Sequence, residues 1–318
     1  MAHDIHDLLA RFATGDTLAA SRLMTVVEQG GAGAEAVLDA LFARTGRARR
    51  IAFTGPGGAG KSTLVDAMTG RLRAAGRTVG VVAEDPTSPF SGGAVLGDRV
   101  RMGHAAGDPG VFVRSLASRG SETGISLVAC ELADVLDAFG RDVVLLETMG
   151  VGQVETRIRF AADSVVVVLT PESGDEVQSL KAGLLEVADM FVVNKSDRPG
   201  AEAFAADLEA VAGLRPAASA WIPPVVQTVA SEETGLAELE AALERHRAHM
   251  AADGRGERRR REGLAERVRA LVEAAWRDAW WQDPTARAEF DGMVERVANG
   301  GMSPYGAARE IARRLTSR

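Results

Sequence analysis

The stretch "GPGGAGKST", residues 55–63, follows the apolar run "ARRIAFT" and opens the helical pattern "KSTLVDAMTGRLRAAG". Strand, glycine-rich loop and helix in that order form a phosphate-binding loop. Gly55, Gly60, Lys61 and Ser62 fit G-x-x-x-x-G-K-[ST]. Glycines permit a tight turn whose successive N–H groups face an anion, and the helix adds the positive end of its dipole. The nucleotide-binding set is therefore Gly55, Gly57, Gly58, Ala59, Gly60, Lys61, Ser62 and Thr63. Lys61 reaches the β- and γ-phosphates, and the Ser62 hydroxyl is a ligand for Mg²⁺.

Outward from this loop, short apolar runs alternate with helical patterns. The strand candidates are "RIAFTG", "TVGVVAED", "DVVLLETMG", "SVVVVLT", "MFVVNKSD" and "PVVQTVA". They are near-continuously apolar, as strands covered on both faces of a parallel sheet are. An α/β fold with a mostly parallel sheet flanked by helices is expected. Residues 1–47 read as an N-terminal helical segment, 48–250 as the nucleotide-binding domain and 251–318 as a helical arm. The basic run "RGERRRREG" reads as the solvated, mixed-charge start of a helix. Trp276, Trp280 and Trp281 share one helical face, suited to a core or to an interface.

"VVNKSD" places Asn194, Lys195 and Asp197 at a strand end as N-K-x-D, about 130 residues after the phosphate loop. The Asp197 carboxylate can accept from N1–H and the 2-amino group of guanine, a donor pair adenine lacks. The Lys195 stem can cover the base, and Asn194 can tie this turn to the phosphate loop. The backbone near Val229 and Ala230, in "TVAS", is a candidate donor to guanine O6. "RDVVLLETMGVGQ" is Walker-B-like: Glu147 is a candidate Mg²⁺ ligand, Gly150 offers an N–H to the γ-phosphate, and Gln153 is a candidate to orient water. Asp142, at that strand's start, reads as structural. Asp85 and Asp98 bracket a glycine-rich loop that would order around Mg²⁺ and the γ-phosphate. The catalytic set is thus Lys61, Glu147, Asp85 and Gln153, and the metal set Ser62, Asp85, Asp98 and Glu147.

Composition limits the partners. The 318 residues carry a net charge of −7, against non-specific nucleic-acid binding. One cysteine, Cys130, excludes an intrachain disulfide and a cysteine metal cluster. "MAHDIHDLLARFATGD" carries acids and lacks a signal-type apolar core, and no run approaches a membrane span, so a cytoplasmic protein with no membrane partner is expected.

Together these motifs resemble one family. They are G-P-G-x-x-G-K-S-T, E-D-P-x-S-P-x-S-G-G-x-x-L-G-D-R-x-R-M, V-R-S-L-A-S-R-G, E-T-x-G-V-G-Q, G-D-E-x-Q-x-x-K-A-G-x-x-E-x-A-D and N-K-x-D. The series is similar to the MeaB/ArgK-type GTPases, the G-protein chaperones of adenosylcobalamin-dependent acyl-CoA mutases such as methylmalonyl-CoA mutase. The resemblance spans about residues 15–250 and is looser in the tail. It implies a SIMIBI-class P-loop G domain, a C-terminal dimerisation arm, a homodimer, and GTP/GDP and Mg²⁺ as cofactors. It also implies docking on the mutase to gate cobalamin loading and to protect or reactivate the enzyme. A cobalamin adenosyltransferase is a further candidate partner. Lys61, Ser62 and Thr63 map to the phosphate loop, and Asp85, Asp98 and Glu147 to the Mg²⁺ and switch positions. Asp175 and Lys181, in "PESGDEVQSLKAG", map to a third switch loop; without the resemblance Lys181 reads as a surface helix lysine.

The chain departs from the pattern at Glu172, where glycine is usual, and at Val154, where serine is common. "RGSETGIS" replaces R-G-H-L-G-G-x-S, and Met149 and Ser196 are milder changes. These lie in switch and partner-facing segments, while the nucleotide motifs are intact. A divergent client is expected, such as an isobutyryl- or 2-hydroxyisobutyryl-type CoA mutase. A small-molecule kinase would need an acceptor pocket with a base, and none is legible. A nickel-insertion GTPase should carry Cys/His ligands. His3 and His6 have no cysteine partner, which leaves that alternative weak. A structural nucleotide binder is disfavoured by both switch acids and Glu147.

Overall fold

All six apolar runs form strands: β1 Arg49–Thr54, β2 Val79–Asp85, β4 Val143–Glu147, β5 Ser164–Leu169, β6 Met190–Asn194 and β7 Val225–Thr228. A further strand, β3 Val111–Ala117, was not among the candidates. The seven join in the order β3-β2-β4-β1-β5-β6-β7, every pair parallel. The structure is a computed structural model and describes residues 2–85, 103, 107–117, 126–148, 158–173, 186–214 and 221–316.

Period-two alternation sends each central strand's side chains into two separate cores. Ile51, Phe53, Leu145, Val166, Val168, Met190 and Val192 point to one. Ala52, Val144, Leu146, Val165, Val167, Phe191 and Val193 point to the other. Both sides of each strand are therefore apolar, which is why the sequence shows continuous rather than alternating runs.

Helices α4 (Lys61–Ala74) and α8 (Leu236–Ala251) cover the first core. The second core is covered by α5 (Leu127–Ala138), α7 (Ala201–Ala212) and an N-terminal trio, α1 (Ala2–Ala13), α2 (Thr17–Gln29) and α3 (Gly31–Phe42). Phe12, Leu23, Met24 and Val37 pack with Leu132 and Leu136 of α5, so the trio is an extra layer on that helix. A short helix, α6 (Ile158–Ala161), precedes β5.

Ion pairs fasten the N-terminal edge of the sheet. Asp137 accepts the backbone N–H groups of Gly46, Arg47 and Ala48 at 2.7, 3.1 and 2.9 Å. Arg50 donates to Asp134 and Asp137 at 2.6 and 3.2 Å. The basic run of residues 255–263 opens a helix and is mostly exposed, but one of its arginines is buried and contributes here. It lies in α9 (Arg255–Gln282), and Arg259 is only 7% exposed. The Arg259 guanidinium donates to both Asp189 carboxylate oxygens, at 2.8 and 3.0 Å, and to the Arg159 carbonyl at 3.0 Å. Arg260 pairs with Asp163 at 2.8 Å. Buried His246 lies between the Ser164 hydroxyl, at 2.9 Å, and Asp189, at 3.3 Å.

Burial pushes the Asp189 carboxyl up, but the His246 hydrogen bond and the Arg259 charge outweigh it and hold the group below its ordinary value. Its folded pKa is depressed, so the stability it contributes is present above the ordinary carboxylate range of about 3.9 and lost as pH falls through the lower folded value. Arg259→Met removes one counter-charge and leaves a buried carboxylate. Chemical denaturation should show a loss of about 3–5 kcal/mol at neutral pH. The acid-unfolding midpoint of this variant should move to higher pH, as burial regains weight. An unchanged acid midpoint would show that Arg259 does not hold Asp189 ionised.

The chain groups into two compact units, Met1–Gly263 and Leu264–Arg318. The second holds the later turns of α9, then α10 (Pro284–Ala298) and α11 (Pro304–Thr316). Asp283 caps α10 by accepting the Thr285 N–H at 2.9 Å. Trp280, Trp281 and Phe290 pack edge to face, with centroids 4.5–5.9 Å apart. Leu264, Val268, Leu271, Val272 and Trp276 are exposed, Trp276 by 67%. Their spacing of four, three, one and four residues places them on one helical face. No helix among the described residues is long and apolar enough to cross a membrane.

Candidate nucleotide site

The site lies at the C-terminal ends of β1, β4, β5 and β6, where loops of a parallel α/β sheet converge. The phosphate loop leaves β1 and enters α4 at Lys61, with Gly60 as N-cap. Two glycines are sterically required. A Cβ on Gly55 would lie 2.0 Å from the Val168 carbonyl oxygen of β5, and one on Gly60 would lie 2.3 Å from the Asn194 amide nitrogen. Both also have positive φ, 139° and 88°, a region costly for any residue with a side chain.

Lys61 is buried, and its ammonium donates to the carbonyls of Gly55 and Pro56 at 3.0 Å each. A charge held this way curls over the loop rather than reaching into solvent. The next residue, Ser62, donates its hydroxyl to Glu147 at 2.6 Å. Glu147 ends β4, opposite Phe53 of β1 and Ala83 of β2, and is buried. A hydroxyl and a carboxylate in contact beside a loop closed to a Cβ at Gly55 and Gly60 form an all-oxygen donor set that suits Mg²⁺.

The N-K-x-D turn follows β6. Asn194 is buried and joins three loops. Its amide donates to the Ala59 carbonyl at 2.9 Å, and its oxygen accepts from the Thr228 hydroxyl and the Ala230 N–H, both at 3.1 Å. Lys195 has φ 57°, which turns its side chain over the phosphate loop, where it donates to the Gly58 carbonyl at 2.7 Å. Asp197 is exposed on the same turn. The N–H groups of Val229 and Ala230 are engaged inside the protein, by the Thr234 carbonyl and by Asn194.

The structure thus brings Gly55, Gly57, Gly58, Ala59, Gly60, Lys61, Ser62, Thr63, Glu147, Asn194, Lys195 and Asp197 to one end of the sheet. Asp85 ends β2 at the same edge. Asp98, Gly150, Gln153, Asp175 and Lys181 lie outside the described residues. Asp142 is structural, its carboxylate accepting the N–H and hydroxyl of Thr78 at 2.7 and 2.8 Å. Among the described residues no group of three or more His, Cys, Asp and Glu side chains could hold a metal ion. Sequence reasoning missed one contact at the rim, an ion pair between Glu172 and Arg198. The only signal was the unusual Glu172.

A parallel sheet with a phosphate loop after β1 and an N-K-x-D turn after β6 defines a P-loop GTPase. Residues 20–285 match the family described as methylmalonyl Co-A mutase-associated GTPase MeaB, and the chain belongs to this family. It is 42% identical over 314 residues to an inferred GTPase of Pyrococcus abyssi, covering 98% of this chain and 97% of that one. It is 32% identical over 312 residues to the GTPase ArgK of Escherichia coli K12, covering 96% and 94%. A crystal structure of an LAO/AO transport system kinase superposes with a TM-score of 0.74 at 26% identity, covering 99% of each chain.

Proposed function

We propose that this GTPase is a chaperone of an adenosylcobalamin-dependent acyl-CoA mutase, gating cobalamin loading and protecting or reactivating that enzyme. Family membership supports the client class, since the family's description is mutase-associated. The observation that carries the nucleotide assignment is Asn194. It fastens the turn bearing Asp197 to the Ala59 carbonyl of the phosphate loop, so base and phosphates are read by one connected unit.

In this reading the phosphate-loop N–H groups and Lys61 hold the β- and γ-phosphates, and Lys61 offsets charge that develops during transfer to water. Lys61 must give up its two carbonyl contacts to do so. Asp197 selects guanine and Lys195 covers the base. Ser62, Glu147, Asp85 and Asp98 would hold Mg²⁺, which supplies charge neutralisation on the phosphates. Gly150 is assigned to the γ-phosphate and Gln153 to the attacking water. Asp175 and Lys181 are assigned to the switch that meets the mutase. Residues 1–47, 48–250 and 251–318 are the helical segment, G domain and arm.

The exposed stripe from Leu264 to Trp276 supports a homodimer formed through the arm, because an apolar helical face of that length is seldom left in water. A cytoplasmic location and a cobalamin adenosyltransferase as second partner complete the proposal. The changed residues of the switch segments favour a divergent mutase as client. Cofactor loading tests the whole reading. Transfer of adenosylcobalamin to apo-mutase should proceed with GTP and stall with a non-hydrolysable analogue. Equal loading with both, or without this protein, would contradict it.

A further inference from the structure

Among the described residues the nucleotide site has three sides, and two are closed by contacts already described. Asn194 and Lys195 join the N-K-x-D turn to the phosphate loop. Gly55 lies against the Val168 carbonyl, joining the phosphate loop to β5. The third side runs between the end of β5 and the N-K-x-D turn, and Glu172 and Arg198 span it. We propose that these two residues are a positioning pair, which holds the guanine-reading turn against β5 and so slows release of guanine nucleotide.

The two anchors differ in rigidity. Glu172 sits in the 3-10 turn Pro171–Ser173. That turn is locked by the Ser173 N–H on the Thr170 carbonyl at 2.9 Å and the Thr170 N–H on the Ser173 hydroxyl at 3.3 Å, all buried. Arg198 lies one residue past Asp197, and its N–H closes the turn on the Lys195 carbonyl at 3.0 Å. Residues 197–200 are all exposed, so the carboxylate that must meet the base stands on a solvent-facing turn. The Arg198 hydrogen bond holds the Glu172 carboxyl down to about 2, so the pair is fully charged near neutral pH.

An exposed ion pair adds little to global stability. Here it acts on a local opening of one turn, where a few-fold shift in population appears directly as a change in release rate. The inference rests on the assignment of Asp197 to guanine.

The test is release of a fluorescent GDP analogue from the full chain with Mg²⁺. The variants are Glu172→Gln, Arg198→Gln and the double substitution. Each single variant should release GDP about two- to fivefold faster at low salt. The double variant should be no faster than either, and the differences should vanish near 1 M salt. The corresponding IDP analogue, whose base lacks the 2-amino group, should be accelerated less than GDP. A turn that loosens around Asp197 weakens the contact only guanine makes. Single variants at the wild-type rate, additive effects, or equal acceleration of GDP and IDP would overturn the inference. Equal retention of GDP and ADP by the wild type would instead overturn the guanine assignment, and the inference with it.

Discussion

Lys61→Ala should lower kcat/KM for GTP by about 10²- to 10³-fold, the scale of losing one preorganised charge donor at a phosphoryl-transfer site. The ammonium is buried and held by two carbonyls of its own loop, Gly55 and Pro56. No other lysine or arginine on the phosphate loop can replace it, since residues 55–63 contain a single cation. Lys61→Arg should fail too, because a planar five-donor fork does not fit where a compact ammonium bridges two carbonyls. Steady-state phosphate release at several GTP concentrations measures the effect. A loss of less than tenfold would mean that Lys61 is only a structural clasp of the loop.

Asp197→Asn should abolish the preference for guanine. The carboxylate would accept two hydrogen bonds from the base edge, each worth about 1.5–3 kcal/mol when the acceptor is charged. Affinity for GDP should fall by about 10²-fold or more. Xanthine carries a carbonyl where guanine has its 2-amino group, so the variant amide should prefer XDP. Titration of wild type and variant with GDP, XDP and ADP checks this. The exposed side chain on a turn closed by its own backbone makes misfolding a poor explanation of any loss. Unchanged GDP affinity would remove Asp197 from the site.

Much of this was legible in the sequence because the chemistry is local. A phosphate loop needs its glycines within nine residues, and the structure shows why: Cβ atoms at Gly55 and Gly60 would strike β5 and Asn194. Six strands showed because each is apolar on both faces. β3 did not, because it is an edge strand in which only Phe112 and Leu116 are buried and which includes Arg114 and Ser115. The anchoring cluster was hidden for another reason. Ser164, Asp189, His246 and Arg259 lie 13 to 57 residues apart in succession, and each alone looks like an ordinary polar residue. Arg259 read as solvent-facing with the rest of its run because its buried partner, Asp189, sits 70 positions away. The Glu172–Arg198 pair is likewise non-local, bridging loops that meet only when β5 and β6 lie side by side.

The proposed chaperone role requires GTP turnover that answers to a mutase. The most direct measurement is GTP hydrolysis by the full chain, alone and with each of a panel of adenosylcobalamin-dependent acyl-CoA mutases, with ATP as control. Slow GTP turnover, accelerated by one mutase and most by a divergent one, with no use of ATP, is the predicted result. Turnover unchanged by every mutase, or equal hydrolysis of ATP, would contradict it.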